Sequence, residues 1–285
     1  MLDIIVNPVS GHGAGAETLS IIENHLKIKN IKYRIHHLHA AGEAKKLTAR
    51  ICSEDGTVIV AIGGDGTFHE VINGMDFEKA RIGFVPAGRG NDFAEGAGLT
   101  FDPIKAIESV IQGIPAERDY IRVGDRRCLN VAGTGLDIEV LKMTENSKNR
   151  ISYIRSLFRC LISYKPYMVS VKVNGKTSEH RCVMAAICNG NQFGGGIHLC
   201  PPAKSDDGLL DLMIVKQPAL PTFCVMPEFI NGRHMKKKYV EHIVCESAVI
   251  TNLSGNCVEL DGEIYDDGII EASVVKGGLK TFAQM

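Results

Sequence analysis

The sequence predicts an α/β fold with two domains: a parallel sheet covered by helices, followed by a mostly antiparallel domain. The chain has 285 residues, which is enough for two hydrophobic cores of ordinary size. Its first 115 residues alternate short β-branched runs with amphipathic stretches, the pattern of strands connected by helices. After Pro115 the chain alternates apolar and polar positions instead, as antiparallel strands do.

In the first domain, each predicted strand ends in a loop that opens a helix. Leu19, Ile22 and Leu26 recur at helical spacing after the first strand, as do Phe68, Val71 and Ile72 after the third. Such alternation is typical of a parallel sheet. The predicted strands of this domain are Leu2 to Val6, Ile31 to Leu38, Thr57 to Ile62 and Arg81 to Val85.

In the second domain, short alternating segments predict a mostly antiparallel sheet. We expect a helical insertion from about Ile151 to Tyr164, because apolar residues recur there at helical spacing. We therefore place the domain boundaries at 1–118 and 119–285, with the last few residues returning to the first domain. The predicted strands are Val169 to Val173, Val183 to Ile187, Leu209 to Val215, Ala248 to Thr251 and Ile269 to Val275.

The composition argues against several classes of protein. The 32 Lys and Arg nearly balance the 33 Asp and Glu, so we expect no nucleic-acid partner. The nine cysteines lack metal-finger spacing and are interpreted as reduced, mostly buried thiols. Met1 leads directly into a strand, which favours a cytoplasmic protein over an exported one.

Three glycine-rich loops follow predicted strands of the first domain. They contain Asn7 to Gly13, Gly63 to Thr67 and Pro86 to Phe93. Glycine lets backbone N–H groups approach an anion, and a helix N-terminus adds partial positive charge. Since the carboxyl ends of parallel strands meet at one edge, we expect these loops to converge on a phosphate. The alternative is that each loop merely makes a tight turn.

Asp65 lies at the centre of the second loop. A carboxylate there would repel phosphate unless a cation such as Mg²⁺ intervened, so we expect Asp65 to have a catalytic or metal-organising role.

The motifs resemble the diacylglycerol and sphingosine kinase family over nearly the whole chain. Gly63-Gly64-Asp65-Gly66-Thr67 is similar to a signature that lipid kinases share with NAD kinases and phosphofructokinases. The family-specific segments are Asn7 to Gly11, Glu70 to Gly74, Gly90 to Ala94, Gly194 to Gly196, Pro202 to Asp211 and Leu260 to Glu263.

The resemblance implies a Rossmann-like nucleotide domain, a C-terminal β-sandwich domain and an active site in the cleft between them. It implies ATP and Mg²⁺ as cofactors, with a structural Mg²⁺ near Lys204, Asp207 and Leu209. It places Asp261 and Glu263 with Asp65 at the catalytic centre, with one carboxylate as proton acceptor. The residues expected to hold the nucleotide are Asn7, Pro8, Val9, Ser10, Gly11, Gly64, Asp65, Gly66, Thr67, Phe68, His69, Glu70, Gly88, Arg89, Asn91 and Asp92.

The chemistry of a kinase fits the acidic couple. An alcohol is a poor nucleophile, so a carboxylate within hydrogen-bond reach accelerates transfer by about 10² to 10⁴. On an extended chain, Asp261 and Glu263 would point to one face, with Gly262 leaving room for the substrate. The alternative for Asp261-Gly262 is a hairpin turn, and plain turn chemistry is likewise an alternative for Asp207-Gly208.

Four features depart from the family pattern or stay open. Arg89 replaces a small hydroxylated residue and either clamps a phosphate or crowds the nucleotide. His69 replaces an asparagine and is interpreted as a first-turn residue near phosphate. The histidines at 36, 37 and 39 are interpreted as solvated, with a metal site as the alternative. The apolar face of the helix predicted from about Ile151 to Tyr164 either binds at a membrane interface or packs on the second domain.

We therefore expect an ATP-dependent kinase for diacylglycerol or a related lipid alcohol, peripheral to the inner face of the membrane. A basic patch of Arg233 and Lys236 to Lys238 suits anionic headgroups. A homodimer is left open by the sequence. The alternatives are a NAD kinase, which the Asn7 to Gly11 and Asn91 to Phe93 motifs argue against, and a catalytically silent nucleotide or lipid sensor, suggested by Arg89.

Overall fold

The chain divides into two compact units in the computed structural model. The structure describes residues 1–53, 57–144, 164–218, 222–255 and 257–284. The first unit comprises Met1–Tyr120 and Lys276–Met285, and the second comprises Ile121–Val275. The predicted helical insertion from about 151 to 164 lies almost entirely outside the described residues.

The first unit contains a four-stranded parallel sheet. Its strands are β1 (Leu2–Val6), β2 (Tyr33–His37), β3 (Thr57–Gly63) and β4 (Ala80–Pro86), in the order β2-β1-β3-β4. The register places Val6 beside His37 and Ile62, so these strands end at the same edge. Because β1 lies in the middle of the sheet, the loops after β1 and β3 are neighbours. The four predicted strands of this domain are confirmed.

Helices cover this sheet. They are α1 (Ala14–Ile28), α2 (Glu43–Cys52), α3 (Asp65–Gly74), α4 (Asp92–Gly96) and α5 (Pro103–Gln112). Helix α5 has Pro103 in its first turn and the Asp102 carboxylate as its N-cap, which accepts hydrogen bonds from Ile104 and Lys105. Leu19, Ile22 and Leu26 of α1 are buried against the sheet, as their helical spacing predicts.

The end of the chain completes the first unit. Strand β15 (Ile269–Phe282) begins in the second unit and ends in the first. Phe282 joins the core formed by β1, β3 and α5, and the Thr281 hydroxyl donates to the Ile82 carbonyl at 2.7 Å.

The second unit is built from an antiparallel sheet that also includes β5 (Pro115–Val123) and β15, which extend into the first unit. The longest strand contained in the second unit, β9 (Lys176–Cys188), pairs with β7 (Val131–Gly135), β8 (Tyr167–Val173) and β10 (Leu210–Lys216), so the sheet branches there. The sheet of eleven strands in the described residues confirms the predicted antiparallel second domain. Its strands are β5 (Pro115–Val123), β6 (Arg126–Cys128), β7 (Val131–Gly135), β8 (Tyr167–Val173), β9 (Lys176–Cys188), β10 (Leu210–Lys216), β11 (Val240–Cys245), β12 (Ser247–Asn252), β13 (Val258–Leu260), β14 (Glu263–Tyr265) and β15.

Each face of this sheet packs into its own apolar layer. Along β10, Leu210, Leu212 and Ile214 enter one layer, while Met213 and Val215 enter the other. The second layer is closed by the loop that carries Leu199 and Cys200 and by α7 (Thr222–Ile230). Helix α6 (Leu136–Thr144) follows β7, and a short 3-10 turn spans Arg233–Lys236. Burial on both faces of the sheet explains why residues 182–188 of β9 and 212–215 of β10 are continuously apolar.

Among the described residues, none of the helices combines the length and the apolar character that crossing a bilayer requires.

Candidate functional site

The three glycine loops of the first unit contact one another. A Cβ placed on Gly88 would lie 2.4 Å from the Gly64 Cα, and one placed on Gly11 would lie 2.6 Å from the Ala87 carbonyl oxygen. Real Cβ atoms do not approach backbone so closely, so these contacts require glycine. The predicted convergence of the loops at one edge of the sheet is therefore a property of the structure.

Two helix N-termini open onto these loops without a side-chain cap. Helix α1 begins after Gly13, which has a left-handed φ of 103°, and α3 begins after Gly64. Both N-cap residues are glycines, so neither offers a side chain that accepts a hydrogen bond from the first turn of its helix. The dipoles of α1 and α3 add partial positive charge at these two N-termini. Such an arrangement binds phosphate.

Asn91 closes the third loop on itself. Its Oδ1 accepts from the Gly88 N–H at 2.8 Å, and its Nδ2 donates to the Gly88 carbonyl at 3.0 Å. The residue is 7 % exposed and has a left-handed φ of 54°. Asparagine tolerates this conformation because its short amide bonds locally to the backbone. Asn91 therefore shapes the loop from within.

Side chains also connect the loops. The Asp65 carboxylate accepts a hydrogen bond from the Phe93 N–H at 3.1 Å, in the first turn of α4. The Asn7 amide donates to the Thr67 hydroxyl at 3.4 Å. A carboxylate near a helix N-terminus is electrostatically stabilised, so α4 gives Asp65 a structural partner that the sequence did not indicate.

The other residues predicted to hold the nucleotide differ in burial and in their contacts. Phe68 is fully buried and meets the Phe84 ring edge-on, with centroids 4.9 Å apart. The Glu70 carboxylate caps α2, accepting from the Gly42 N–H at 2.7 Å and the Ala44 N–H at 3.0 Å. His69 and Asp92 are buried, Pro8, Ser10 and Gly11 are half-buried, and Val9 and Gly66 are exposed.

Arg89 is exposed at the tip of the third loop. Its Nη2 lies 3.1 Å from the Nδ1 of His12 in the first loop. The guanidinium therefore spans two loops at their exposed side.

The acidic couple lies on a β-hairpin in the second unit. Leu260 of β13 pairs with Glu263 of β14, which leaves Asp261 and Gly262 as a two-residue turn. Both have positive φ, 52° and 89°, as a type I′ turn demands. The expectation that Asp261 and Glu263 project from one face of an extended chain is wrong, because the chain reverses direction between them. Within the described residues, a Cβ added to Gly262 would meet no heavy atom within 4 Å.

The two carboxylates have different surroundings. Asp261 accepts backbone hydrogen bonds from Leu129 at 2.7 Å, Asn130 at 2.8 Å and Val131 at 3.3 Å, and the Cys128 thiol lies at 3.1 Å. Glu263, by contrast, is exposed at the start of β14. Asp261 thus fixes the hairpin to the segment between β6 and β7, and Glu263 faces solvent.

Burial and charge around the hairpin act on Tyr265 and Cys128. Burial raises the pKa of Tyr265, and the Glu263 carboxylate adds to the rise. Burial, followed by the Asp261 charge, raises the pKa of the Cys128 thiol well above its usual value. The Arg126 guanidinium lies 4.0 Å above the Tyr265 ring, a cation–π contact, and pairs with Asp267.

A buried polar network supports the other side of this segment. The Asn130 carbonyl accepts from the N–H groups of Asn189 at 2.8 Å and Gly190 at 3.0 Å. Its amide donates to the Gln192 carbonyl at 2.5 Å, and the Asn189 amide donates to the Leu129 carbonyl at 2.7 Å. Sequence reasoning missed these residues. The polar run from Asn189 to Gln192, directly after the apolar strand β9, is the signal that indicates them.

The turn expected to hold Mg²⁺ precedes β10. The Leu209 N–H donates to the Asp207 carboxylate at 3.0 Å, which makes an Asx turn. Lys204 and Asp207 are exposed, and Leu209 is half-buried. The three residues offer one carboxylate and backbone carbonyls, an all-oxygen set that suits a hard cation.

The histidines near β2 do not form a metal cluster with acidic or thiol partners within the described residues. His36 instead contacts the buried Asp3 carboxylate at 2.8 Å, which Arg34 also binds at 2.8 Å. Burial opposes ionisation of Asp3, but the hydrogen bonds from Arg34 and His36 outweigh it and lower the pKa.

Two family models together match nearly the whole chain. The diacylglycerol kinase catalytic domain matches residues 2–123, and the YegS C-terminal NAD kinase beta sandwich-like domain matches residues 130–283. The first match covers the glycine loops, and the second covers the hairpin together with Asn130 and Val131, which bind it.

Individual relatives agree with the family models. A diacylglycerol kinase from Bacillus subtilis is 27 % identical over 268 residues, covering 91 % of this chain and 88 % of the relative. A YegS-like probable lipid kinase from Chromohalobacter salexigens is 32 % identical over 195 residues, covering 64 % and 62 %.

A solved structure shares the fold. The crystal structure of a diacylglycerol kinase from Bacillus anthracis superposes with a TM-score of 0.78 at 23 % identity, covering 99 % of this chain and 96 % of that one. Since the second family model spans more than half of the 285 residues and the first covers most of the rest, the chain belongs to the family that joins a diacylglycerol kinase catalytic domain to a YegS C-terminal domain.

Proposed function

We propose that this protein is an ATP-dependent lipid kinase that transfers the γ-phosphate to a hydroxyl of diacylglycerol or a related lipid alcohol. The observation that carries the proposal is the convergence of three glycine loops beside the N-termini of α1 and α3, whose N-cap residues are both glycine. Backbone N–H groups of these loops would bind the phosphates of ATP, because backbone donors and the helix dipole act on the same anion.

The proposed reaction is an in-line displacement at the γ-phosphorus. A bond forms between the lipid oxygen and phosphorus, the bond to the β–γ bridging oxygen breaks, and ADP leaves with that electron pair. The hydroxyl proton passes to a carboxylate as the bond forms. We assign this proton to Glu263, because both oxygens of Asp261 already accept backbone N–H groups, whereas Glu263 is exposed.

Asp261 has a positioning role in this proposal. It fixes the type I′ turn to the Leu129–Val131 backbone and so sets where Glu263 begins β14. Asp65, which is bound to the N-terminus of α4, similarly sets the distance between the second and third loops.

Mg²⁺ fits the proposal in two places. When bound with ATP it neutralises charge on the transferring phosphate. A structural ion would be held by the Asp207 carboxylate with the backbone carbonyls of Lys204 and Leu209, a donor set made of oxygen alone.

A lipid substrate implies contact with a membrane surface. Extracting an acyl chain costs about 0.8 kcal/mol per CH₂, so a kinase that works at the bilayer avoids this cost. The exposed residues Arg233, Lys236 and Lys238 would attract anionic headgroups. Lys237 is instead paired with Glu228 at 2.5 Å. We propose that the protein binds peripherally to the inner face of the membrane.

Transfer of radiolabel from the γ-position of ATP tests the proposal. The purified protein with Mg²⁺ is given diacylglycerol in mixed micelles, sphingosine, or NAD in lipid-free buffer. We expect label in phosphatidic acid. Label in NADP would support the NAD kinase alternative, and no label in any acceptor from folded protein that binds ATP would support the sensor alternative.

A further inference from the structure

A cluster of potential metal ligands that includes none of the hairpin residues lies in the second unit. Cys200, Asp211 and His242 each offer one ligand atom, and these three atoms lie within 4.8 Å of one another. Cys188 pairs with Asp211 across the sheet, so its thiol lies on the same side of the sheet as this carboxylate. The cluster therefore combines two thiols, one carboxylate and one imidazole, and the proposed phosphoryl transfer uses none of them.

The sheet register brings three of these side chains to one face. Cys188 on β9 lies directly opposite Asp211 on β10, and His242 on β11 lies directly opposite Met213, two residues further along β10. Since residues two apart on a strand project to the same side, Cys188, Asp211 and His242 share a face. Cys200 reaches them from the loop that covers this face.

Burial distinguishes this cluster from a chance surface group. Cys188 and Cys200 are 0 % exposed and Asp211 is 5 % exposed, within an apolar layer that includes Leu199 and Met213. A buried carboxylate is costly unless a cation or hydrogen bonds satisfy it. The His242 Nε2 lies 2.5 Å from the Asp211 carboxylate, and its side chain is 26 % exposed, which leaves a path from solvent.

We propose that Cys188, Cys200, Asp211 and His242 form a structural zinc site. Four donors of sulfur, nitrogen and oxygen match the tetrahedral coordination of Zn²⁺, in which neighbouring ligand atoms lie about 3.3–3.8 Å apart. The ligand atoms of Cys200, Asp211 and His242 lie within 4.8 Å of one another, and the His242 Nε2 lies 2.5 Å from the Asp211 carboxylate, so shifts of about 1 Å would bring them to that spacing. Binding would displace the thiol protons to solvent and fix the loop around Cys200 to β10 and β11.

The alternative uses of the same residues fit less well. A Cys–His–Asp arrangement also occurs in nucleophilic catalysis, but Cys200 is fully buried, so no substrate reaches its thiol. A disulfide between Cys188 and Cys200 would remove both thiolates from the site and leave the buried Asp211 beside His242 alone.

Metal content and a cobalt spectrum test the proposal. Protein purified under reducing conditions is analysed for bound metals by mass spectrometry, and the apoprotein is titrated with Co²⁺ alone. We expect about one zinc per chain, a thiolate-to-cobalt charge-transfer band and the intense visible bands of tetrahedral cobalt. Cys200→Ser and His242→Gln should reduce bound zinc at least tenfold, whereas Cys224→Ser, which removes an exposed thiol on α7, should retain it.

A second measurement covers variants that fail to fold. Zn²⁺ added to the wild-type apoprotein should raise its melting temperature, and Mg²⁺ at the same concentration should not. The proposal is overturned if the wild-type protein binds no zinc and gives no charge-transfer band. It is also overturned if its mass is lower by two hydrogens because Cys188 and Cys200 have formed a disulfide. None of these readouts depends on kinase activity.

Discussion

At the scale of single residues, the two carboxylates of the hairpin have separable roles. Asp261 accepts three backbone N–H groups, and Glu263 is exposed. A substitution at Asp261 should therefore act through stability, and one at Glu263 through the reaction.

Asp261→Ala leaves the amides of Leu129 and Asn130 without their acceptor. Because a hydrogen bond to a charged group is worth about 1.5–3 kcal/mol, we expect the free energy of unfolding to fall by about 3 kcal/mol. Glu263→Gln should change it by less than about 0.5 kcal/mol. Urea unfolding followed by circular dichroism measures both, and equal destabilisation by the two variants would contradict the assignment.

Asp3 makes part of the stability dependent on pH. Its pKa is lowered in the folded protein from the ordinary value of 3.8, so the stabilisation is fully present above that value. It is lost as the pH falls through the lower, folded-state pKa. We expect Asp3→Asn to cost about 1–2 kcal/mol at neutral pH, and the difference from wild type to shrink below about pH 4.

Urea midpoints of the wild-type protein and Asp3→Asn, measured across this pH range, show whether the stability difference shrinks on acidification. A difference that grows on acidification would contradict the account. Glu179→Gln, which changes an exposed glutamate on β9, serves as the control and should show no such trend.

At the scale of elements, the contact between the second and third loops depends on glycine. A methyl group on Gly88 would lie 2.4 Å from the Gly64 Cα and 2.7 Å from the Asn91 Oδ1. Since backbone must move to admit it, we expect Gly88→Ala to destabilise by about 1–3 kcal/mol. We also expect it to raise the KM for ATP at least about tenfold, because small misplacements of a binding loop are costly.

Steady-state kinetics and thermal unfolding of Gly88→Ala measure the two effects. Gly255→Ala is the matched control, since its methyl group would meet its nearest neighbour, the Asn252 amide, at an ordinary 3.5 Å. Unchanged ATP affinity in Gly88→Ala would separate these loops from nucleotide binding.

The basic patch of Arg233 and Lys236 to Lys238 should contribute to membrane binding and leave the rate of phosphoryl transfer unchanged. Each exposed lysine near an anionic surface contributes about 1 kcal/mol, so Lys236→Ser with Lys238→Ser should weaken binding roughly thirtyfold. Sedimentation with phosphatidylserine vesicles measures this. The pair Lys172→Ser and Lys176→Ser, exposed on β8 and β9, removes equal charge elsewhere, and an equal loss in that control would show that only net charge matters.

At the scale of the whole molecule, much of the fold follows from local sequence signals. The first-unit strands and the glycine loops were predictable because strand periodicity and glycine punctuation are local. The predicted change to antiparallel strands after Pro115 is also confirmed. The strands β8, β9, β10, β12 and β15 lie at the predicted segments.

What the sequence did not predict depends on register between distant strands. Asp261 and Gly262 fit both an extended segment and a turn, and the pairing of Leu260 with Glu263 selects the turn. Cys188, Asp211 and His242 are far apart along the chain, and the pairing of β9, β10 and β11 brings them to one face. Local patterns carry no information on such pairings.

The central claim is that phosphate passes from ATP to a lipid hydroxyl with Glu263 as the proton acceptor. The most direct test compares the wild-type protein with Glu263→Gln. Label transfer to diacylglycerol is measured at saturating ATP, and ATP binding is measured separately by calorimetry. We predict that the variant forms phosphatidic acid about 10² to 10⁴ times more slowly and binds ATP as wild type does. Wild-type rates in Glu263→Gln, with Glu179→Gln equally active, would contradict the account.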